Sequence, residues 1–293
     1  MDVLGFLFPP FVASLILTGI HAYLGLHVVE RGVIFVDLSL AQIAALGTTI
    51  GYIFGLGLHS PQNYWMSLGF TFLGAALFAL VRARRAPIPQ EAIIGITYVI
   101  AAAGSILIMN RIPEGTEHLK DMLVGNILTV SWGEVGRTAL LYAGIGLFHY
   151  LFRARFLRIS MDPRGAAADG LSVRWWDFLF YVSFGFVVTS SVSIAGVLLV
   201  FCYLVVPSVA AMLYAERVGP RLAIGWTMGA TVSALGVYLS YLFDLPTGAA
   251  IVVTFGACLI LMASLRPLVP LAHRTVRVGQ MSESLPDKAT SSG

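Results

Sequence analysis

Nine apolar runs, each about long enough to cross a bilayer, follow one another along this chain and constrain its fold more than any other feature. They cover residues 6–29, 32–57, 63–81, 91–110, 133–152, 175–194, 196–215, 221–243 and 247–265. A hydrocarbon layer about 30 Å thick is crossed by about 20 residues of α-helix. Inside it every backbone N–H and C=O needs a partner from the chain itself, which runs of this length achieve as helices. The shortest polar break is "SSVSIAG", residues 190–196, between the sixth and seventh runs. With 58% hydrophobic and 11% charged residues, the chain is far from a soluble domain, for which about 25% charged is usual. The expected fold is all-α: a polytopic membrane helical bundle of about nine transmembrane helices.

Basic residues are sorted by connection. Arg31, Arg82, Arg84, Arg85, Arg153, Arg155, Arg158, Arg164, Arg174, Arg217, Arg221 and Arg266 share one side if the N-terminus lies outside, against Arg111, Lys120 and Arg137 on the other. Cytoplasmic loops retain Lys and Arg, so the expected topology is N-terminus outside, C-terminus cytoplasmic. The opening "MDVLG" has Asp2 and no basic residue, unlike a signal peptide, so the first run is expected to be retained. The division expected is a transmembrane domain over 1–270 and a flexible, polar cytoplasmic tail over 271–293. Basic residues scattered over loops form no nucleic-acid-binding face. Cys202 and Cys258 stand alone in apolar runs, without the spacing of a disulfide framework or a zinc site.

Enzyme chemistry finds no support. The only lysines are Lys120 and Lys288, and neither belongs to a G-x-x-x-x-G-K-[ST] phosphate loop; H-E-x-x-H and G-x-S-x-G are also absent. If transport is driven by ATP, a separate chain hydrolyses it.

The cytoplasmic connection "RISMDPRGAAADGLSVR", residues 158–174, is too short for a domain and patterned for a short helix. Asp162 is an N-cap residue, Pro163 suits the first turn, Ala166 and Ala167 favour helix, and Gly170 can take a left-handed ending. A stub helix between two spans has the form of a docking surface, although an amphipathic loop accounts for the same residues.

The segment also resembles a known family. "MDPRGAAADGLSV", "GVLLVFCYLVVPSVAAMLYAER" (196–217), "DLPTGAAIVV" (244–253), "LVGNILTVSWGEV" (123–135) and "EAIIGITY" (91–98) are similar to the patterns of permeases of ATP-driven metal-ion importers, the zinc and manganese type. The resemblance runs over about residues 24–266. It implies two copies of the permease in the bilayer of the bacterial inner membrane, cytoplasmic ATPase subunits, and an extracytoplasmic metal-binding protein. It also implies a divalent metal ion (zinc or manganese, with iron as a further candidate) as cargo, with no permanently bound cofactor. Residues 160–172, with Asp162, Pro163, Ala166, Ala167 and Gly170, would then seat in the ATPase.

Polar residues inside the runs mark a candidate path. His21 and Gln42 lie ten residues before and eleven after Arg31, so each is roughly 15 Å from the turn, near the bilayer centre. Groups this deep need a partner or a polar cavity. His21 and Gln42 either bond one another within a helical hairpin or line the path together, with His21 offering an imidazole nitrogen to metal. Asp37 and Ser39, nearer the turn, join them as candidates. The family pattern G-D-x-L-[AS]-H would put its Asp at Leu38 and its His at Gln42, so this chain lacks that pair. Asp37 is roughly 140° around the helix from Gln42 and cannot replace the lost Asp on the same face. The Gln42 carbonyl suits harder cations than imidazole does.

At the outer side, Glu114, Glu117, His118 and Asp121 form a candidate receiving patch, and Asp244 is a candidate for drawing cations to the mouth. Asp244, Pro246 and Gly248 are also turn residues by type. Gly196 allows a tight turn or close backbone approach, and Pro207 a kink. His27 is spaced for a pair with Glu30, and His59 and His149 are expected at the interfaces. The competing reading is an ion- or proton-coupled secondary transporter in which Asp37, His21 and Glu91 relay protons.

Overall fold

The computed structural model describes residues 3–57, 60–81, 88–111, 115, 117, 123–125 and 127–268. The helices are α1 (Val3–Arg31), α2 (Val36–Ile53), α3 (Pro61–Val81), α4 (Gln90–Met109), α5 (Trp132–Leu151), α6 (Arg153–Met161), α7 (Pro163–Ala168), α8 (Val173–Met212), α9 (Val218–Phe243) and α10 (Thr247–Leu265), with a 3₁₀ turn at Ile127–Thr129 before α5. The described residues contain no strand. Seven of the helices, α1–α4 and α8–α10, are long and apolar enough to cross a membrane. Glu134, Arg137 and His149 make α5 more polar, although it is 20 residues long.

Local chemistry sets the helix ends. Gly32 (φ +66°) closes α1 with its N–H on Val29 O and the Val33 N–H on Val28 O, a Schellman ending; Gly55 (φ +82°) closes α2 in the same way. The second apolar run therefore becomes helical only at Val36, four residues after it begins. Ser131 starts α5 in a capping box: its hydroxyl accepts the Glu134 N–H at 3.3 Å while the Glu134 carboxylate accepts the Ser131 N–H at 2.8 Å.

The sixth and seventh runs meet inside α8. Its 40 residues would span about 60 Å if straight. Instead Gly196 leaves helical geometry at φ 73°, ψ 163°. Ser191 and Ser208 both reach the same turn of α1, at His21 and Ala22. In a straight helix those serines would be roughly 25 Å apart, so the chain doubles back at Gly196. Pro207, expected to kink the returning arm, is buried within it, and the break in helical φ/ψ falls at Gly196. A Cβ on Gly196 or on Gly125 (φ +66°) would overlap the other segment's backbone, so two glycines let the backbones touch.

The two arms of α8 form the middle of the bundle. They pack on α1, α2, α3, α9 and α10, while α1 also packs on α5, α6 and α9, and α2 on α3 and α4. Tyr181, Phe180, Phe184, Tyr203, Phe255, Leu17 and Leu40 fill the core. Where helices approach closely, one side is glycine: Gly25 faces the Leu204 carbonyl, Gly229 faces Thr18, Gly74 faces Ile43 and Gly47 faces Phe70. Large apolar residues on α4 (Ile96, Ile100, Leu107) and α10 (Val253, Ile260) point outward, as a lipid-facing surface requires.

Candidate functional site

The connection between α5 and α8 folds into two short helices. Asp162 separates them: its Oδ1 accepts the Gly165 N–H at 2.8 Å, capping α7, and Pro163 takes the first helical position. Gly170 (φ +82°) ends α7 with its N–H on Ala167 O and the Leu171 N–H on Ala166 O. Arg158 reaches across both ends of α7, pairing with Asp162 at 2.9 Å and with Asp169 at 2.9 Å. Hydrogen bonding to Asp169, then its charge, raises the Arg158 pKa above the usual guanidinium value. Each exposed pair contributes little by itself; together they fix the outline of the loop. Ala166 is fully buried, Ala167 is half-buried, and Arg164, Ala168 and Asp169 face outward.

Beneath this loop is a buried polar cluster that sequence reading missed. Arg31, at the end of α1, forms an ion pair with Asp177 of α8 at 2.6 Å, with neither side chain exposed. The Arg31 Nε donates to Ser160 Oγ of α6 at 2.8 Å, and its guanidinium lies 3.9 Å from the Phe180 ring centroid. Ser160 Oγ is also 2.8 Å from His27 Nδ1, so His27 is bonded to α6 while Glu30 is paired with Arg221. The expected His27–Glu30 pair is therefore not formed, because long-range partners capture both groups. His149, near the end of α5, is buried among protein groups, stacked on Phe156 at 4.3 Å and 2.8 Å from Ser183 Oγ. One signal was available, since Asp177 is an acidic residue within an otherwise apolar run.

Deeper in the bundle, His21 and Gln42 do not meet. His21 Nδ1 is 2.7 Å from Leu17 O, and Nε2 is 3.1 Å from Ser191 Oγ. A carbonyl only accepts, so Nδ1 carries the proton, while the single Ser191 hydroxyl proton is shared between Val187 O at 2.5 Å and His21 Nε2. Tyr142 of α5, 2.5 Å from Ser191 Oγ, completes the group. The hairpin assumption failed because α1 and α2, although joined by a turn, each pack on α8 instead of closely on one another. Gln42 is buried in α2. Asp37 is 1% exposed, and neither its Oδ1 nor Ser39 Oγ meets a hydrogen-bond partner among the described residues. Nearby, Glu91 of α4 accepts the Phe35 N–H at 3.0 Å, joining the starts of α2 and α4.

At the opposite end, Asp244 is exposed in left-handed geometry (φ 52°) and ends α9, and Pro246 precedes α10. Gly248 falls inside the first turn of α10 instead of in the turn itself, where it lets the helix approach the Val124 carbonyl. His118 and His59 lie outside the described residues, as do Glu114 and Asp121. Among the described residues no three His, Cys, Asp or Glu side chains gather into a metal-holding group.

A bundle of long apolar helices, with buried polar groups at depth and one structured loop at its basic end, defines a polytopic membrane transport protein. The chain belongs to the ABC 3 transport family, whose model matches residues 4–266. It is 26% identical over 255 residues to the manganese transport system membrane protein MntC of Listeria innocua, covering 85% of this chain and 86% of that one. It is 23% identical to the manganese import system permease protein ScaB of Streptococcus gordonii, over 83% and 85% of the two chains. The solved structure of PsaBC from Streptococcus pneumoniae in complex with Fab superposes with a TM-score of 0.75 at 25% identity, covering 89% of this chain and 93% of that one.

Proposed function

We propose that this chain is the membrane-embedded permease of an ATP-driven importer of divalent metal ions, with manganese the first candidate and zinc or iron next. Residues 1–270 form its permease domain and 271–293 a cytoplasmic tail. Nine spans, namely α1–α5, the two arms of α8, α9 and α10, cross a bacterial inner membrane with the N-terminus outside. The orientation is supported by Arg31, Arg153, Arg158, Arg217, Arg221 and Arg266, which gather at the bundle end holding α6 and α7.

The observation that carries the proposal is the loop from Asp162 to Gly170, a capped helix at the basic end of a bundle with no phosphate loop of its own. It seats in a separate ATPase subunit, two permeases pair in the bilayer, and an extracytoplasmic protein delivers the metal, by analogy with relatives named as transport-system and import-system permeases. Transport then follows from rigid-body rocking of the helices. Membership in an ABC transport family weighs against proton-coupled transport.

The path candidates are Asp37, Ser39 and Gln42 on α2, with Asp244 and His118 toward the outside. A buried carboxylate with an unpartnered oxygen is costly in a bilayer unless a cation visits it. Asp37 meets that description, and a carboxylate oxygen favours a hard cation such as manganese over zinc; the Gln42 carbonyl, roughly 140° around α2, would meet the cation at a separate point of the path. His21, with Nδ1 on Leu17 O and Nε2 facing Ser191, acts as a structural support for the α1–α8 contact. Whole-cell metal content in strains with and without the chain tests the proposal. A selective fall in manganese supports it, a fall confined to zinc or iron reassigns the cargo, and unchanged metals reject it.

A further inference from the structure

Three segments meet at one side chain beneath the loop. Ser160 is two residues before Asp162, at the entry to α7, and Asp177 is seven residues after Gly170, in the α8 arm that leaves the loop. Arg31 holds both: Nε on Ser160 at 2.8 Å and Nη1 on Asp177 at 2.6 Å. The entry and exit of the loop are thus tied to the last residue of α1. His27, one turn earlier on α1, adds a second bond to the same Ser160 oxygen.

Energetics make this arrangement informative. A fully buried ion pair recovers little net stability, because desolvating both charges offsets their attraction. Apolar residues of similar size would hold three helices together at least as well. A guanidinium has a different property: its rigid, planar fork fixes direction as well as distance to two partners at once. The Phe180 ring, 3.9 Å from the guanidinium carbon, further limits how the fork can turn.

We propose that Arg31, through Ser160 and Asp177, is the positioning residue that transmits movement of the α6–α7 loop to α1, and through α1 to the helices packed on it. The inference rests on the permease reading above. With the joint intact, displacement of the loop moves α1 and α8 as one body; with it cut, the loop moves without them and ATP is hydrolysed without transport.

The test uses the permease assembled with its ATPase in liposomes, with ATP on the side of the α6–α7 loop and the metal-loaded extracytoplasmic binding protein on the other, measuring ATP hydrolysed per manganese ion taken up. Ser160→Ala is the mildest cut, Asp177→Asn removes the charge and keeps the shape, and Arg31→Lys keeps the charge and loses the fork. Each is expected to raise ATP consumed per ion at least fivefold, with hydrolysis within twofold of wild type. A residue that only stabilises the fold would lower the amount of complex and leave that ratio unchanged. Unchanged ratios in Ser160→Ala and Asp177→Asn overturn the joint, whatever the yield of Arg31→Lys. A wild-type complex without ATP-dependent uptake overturns the permease reading, and the joint with it.

Discussion

His21 of α1 reaches Ser191 of α8 across the middle of the bundle, with 3.1 Å between Nε2 and Oγ. Nδ1 of the imidazole is bonded to Leu17 O, and the role proposed for His21 is to hold the two helices together. His21→Ala is expected to leave a cavity between α1 and α8, with the Ser191 and Tyr142 hydroxyls still bonded to each other and to Val187 O, and to cost roughly 0.5–3 kcal/mol. Thermal unfolding in detergent should shift down, while the order of preference among manganese, zinc and iron in surviving transport should stay the same. A changed order would return His21 to the path.

Close packing of α1 on the returning arm of α8 makes a separate prediction. A Cβ at Gly25 would overlap the Leu204 carbonyl and crowd Ser208, whereas Gly19 has no neighbouring atom within 4 Å of that position. Gly25→Ala should destabilise by about 1–3 kcal/mol through overpacking. Gly19→Ala should be neutral or stabilise by up to about 1 kcal/mol, as expected for glycine replaced by alanine in a helix. The fraction remaining monodisperse after heating separates the two.

Asp162 caps α7 and anchors one end of the Arg158 clamp. Asp162→Ala should cost about 1 kcal/mol of local helix stability, the usual loss for an N-cap. Because the loop is exposed, the fold should survive; the expected loss is in binding of the ATPase subunit, read by co-purification. Gly170→Ala introduces strain at φ +82° with open space around it, so it should weaken the same binding without lowering the melting temperature of the bundle.

Removing the charge at Asp37 tests the path. Asp37→Asn keeps the shape of a buried side chain and should lower metal uptake at least tenfold at unchanged protein level. Gln42→His supplies an imidazole on the same helix and should move preference toward zinc. Competition between the two metals in uptake assays reads both effects. Full uptake by Asp37→Asn would place the cation elsewhere.

The positions of the helices were legible because bilayer thickness imposes a length that the apolar runs display directly. The α7 loop was legible for another reason: the cap at Asp162, the proline at 163 and the left-handed Gly170 all act within a few residues of themselves. Neighbourhood was not legible. Equal distance from the Arg31 turn placed His21 and Gln42 at one depth, but depth does not say which helices touch, and α1 turns its polar groups toward α5, α6 and α8. The same limit hid the hydrogen-bond partners of His27, His149 and Arg31, each of which lies more than 30 residues away in the chain. Asp177 stood in plain view as a charge in an apolar run; its partner did not.

The measurement that bears most directly on the whole account is manganese uptake into liposomes containing this chain and its partner ATPase, with ATP supplied on the side facing the α6–α7 loop and the metal-loaded binding protein on the other. The account predicts uptake that requires ATP and stops when the phosphate loop of the partner is inactivated. Uptake by this chain alone, driven by a pH gradient and indifferent to that inactivation, would contradict it.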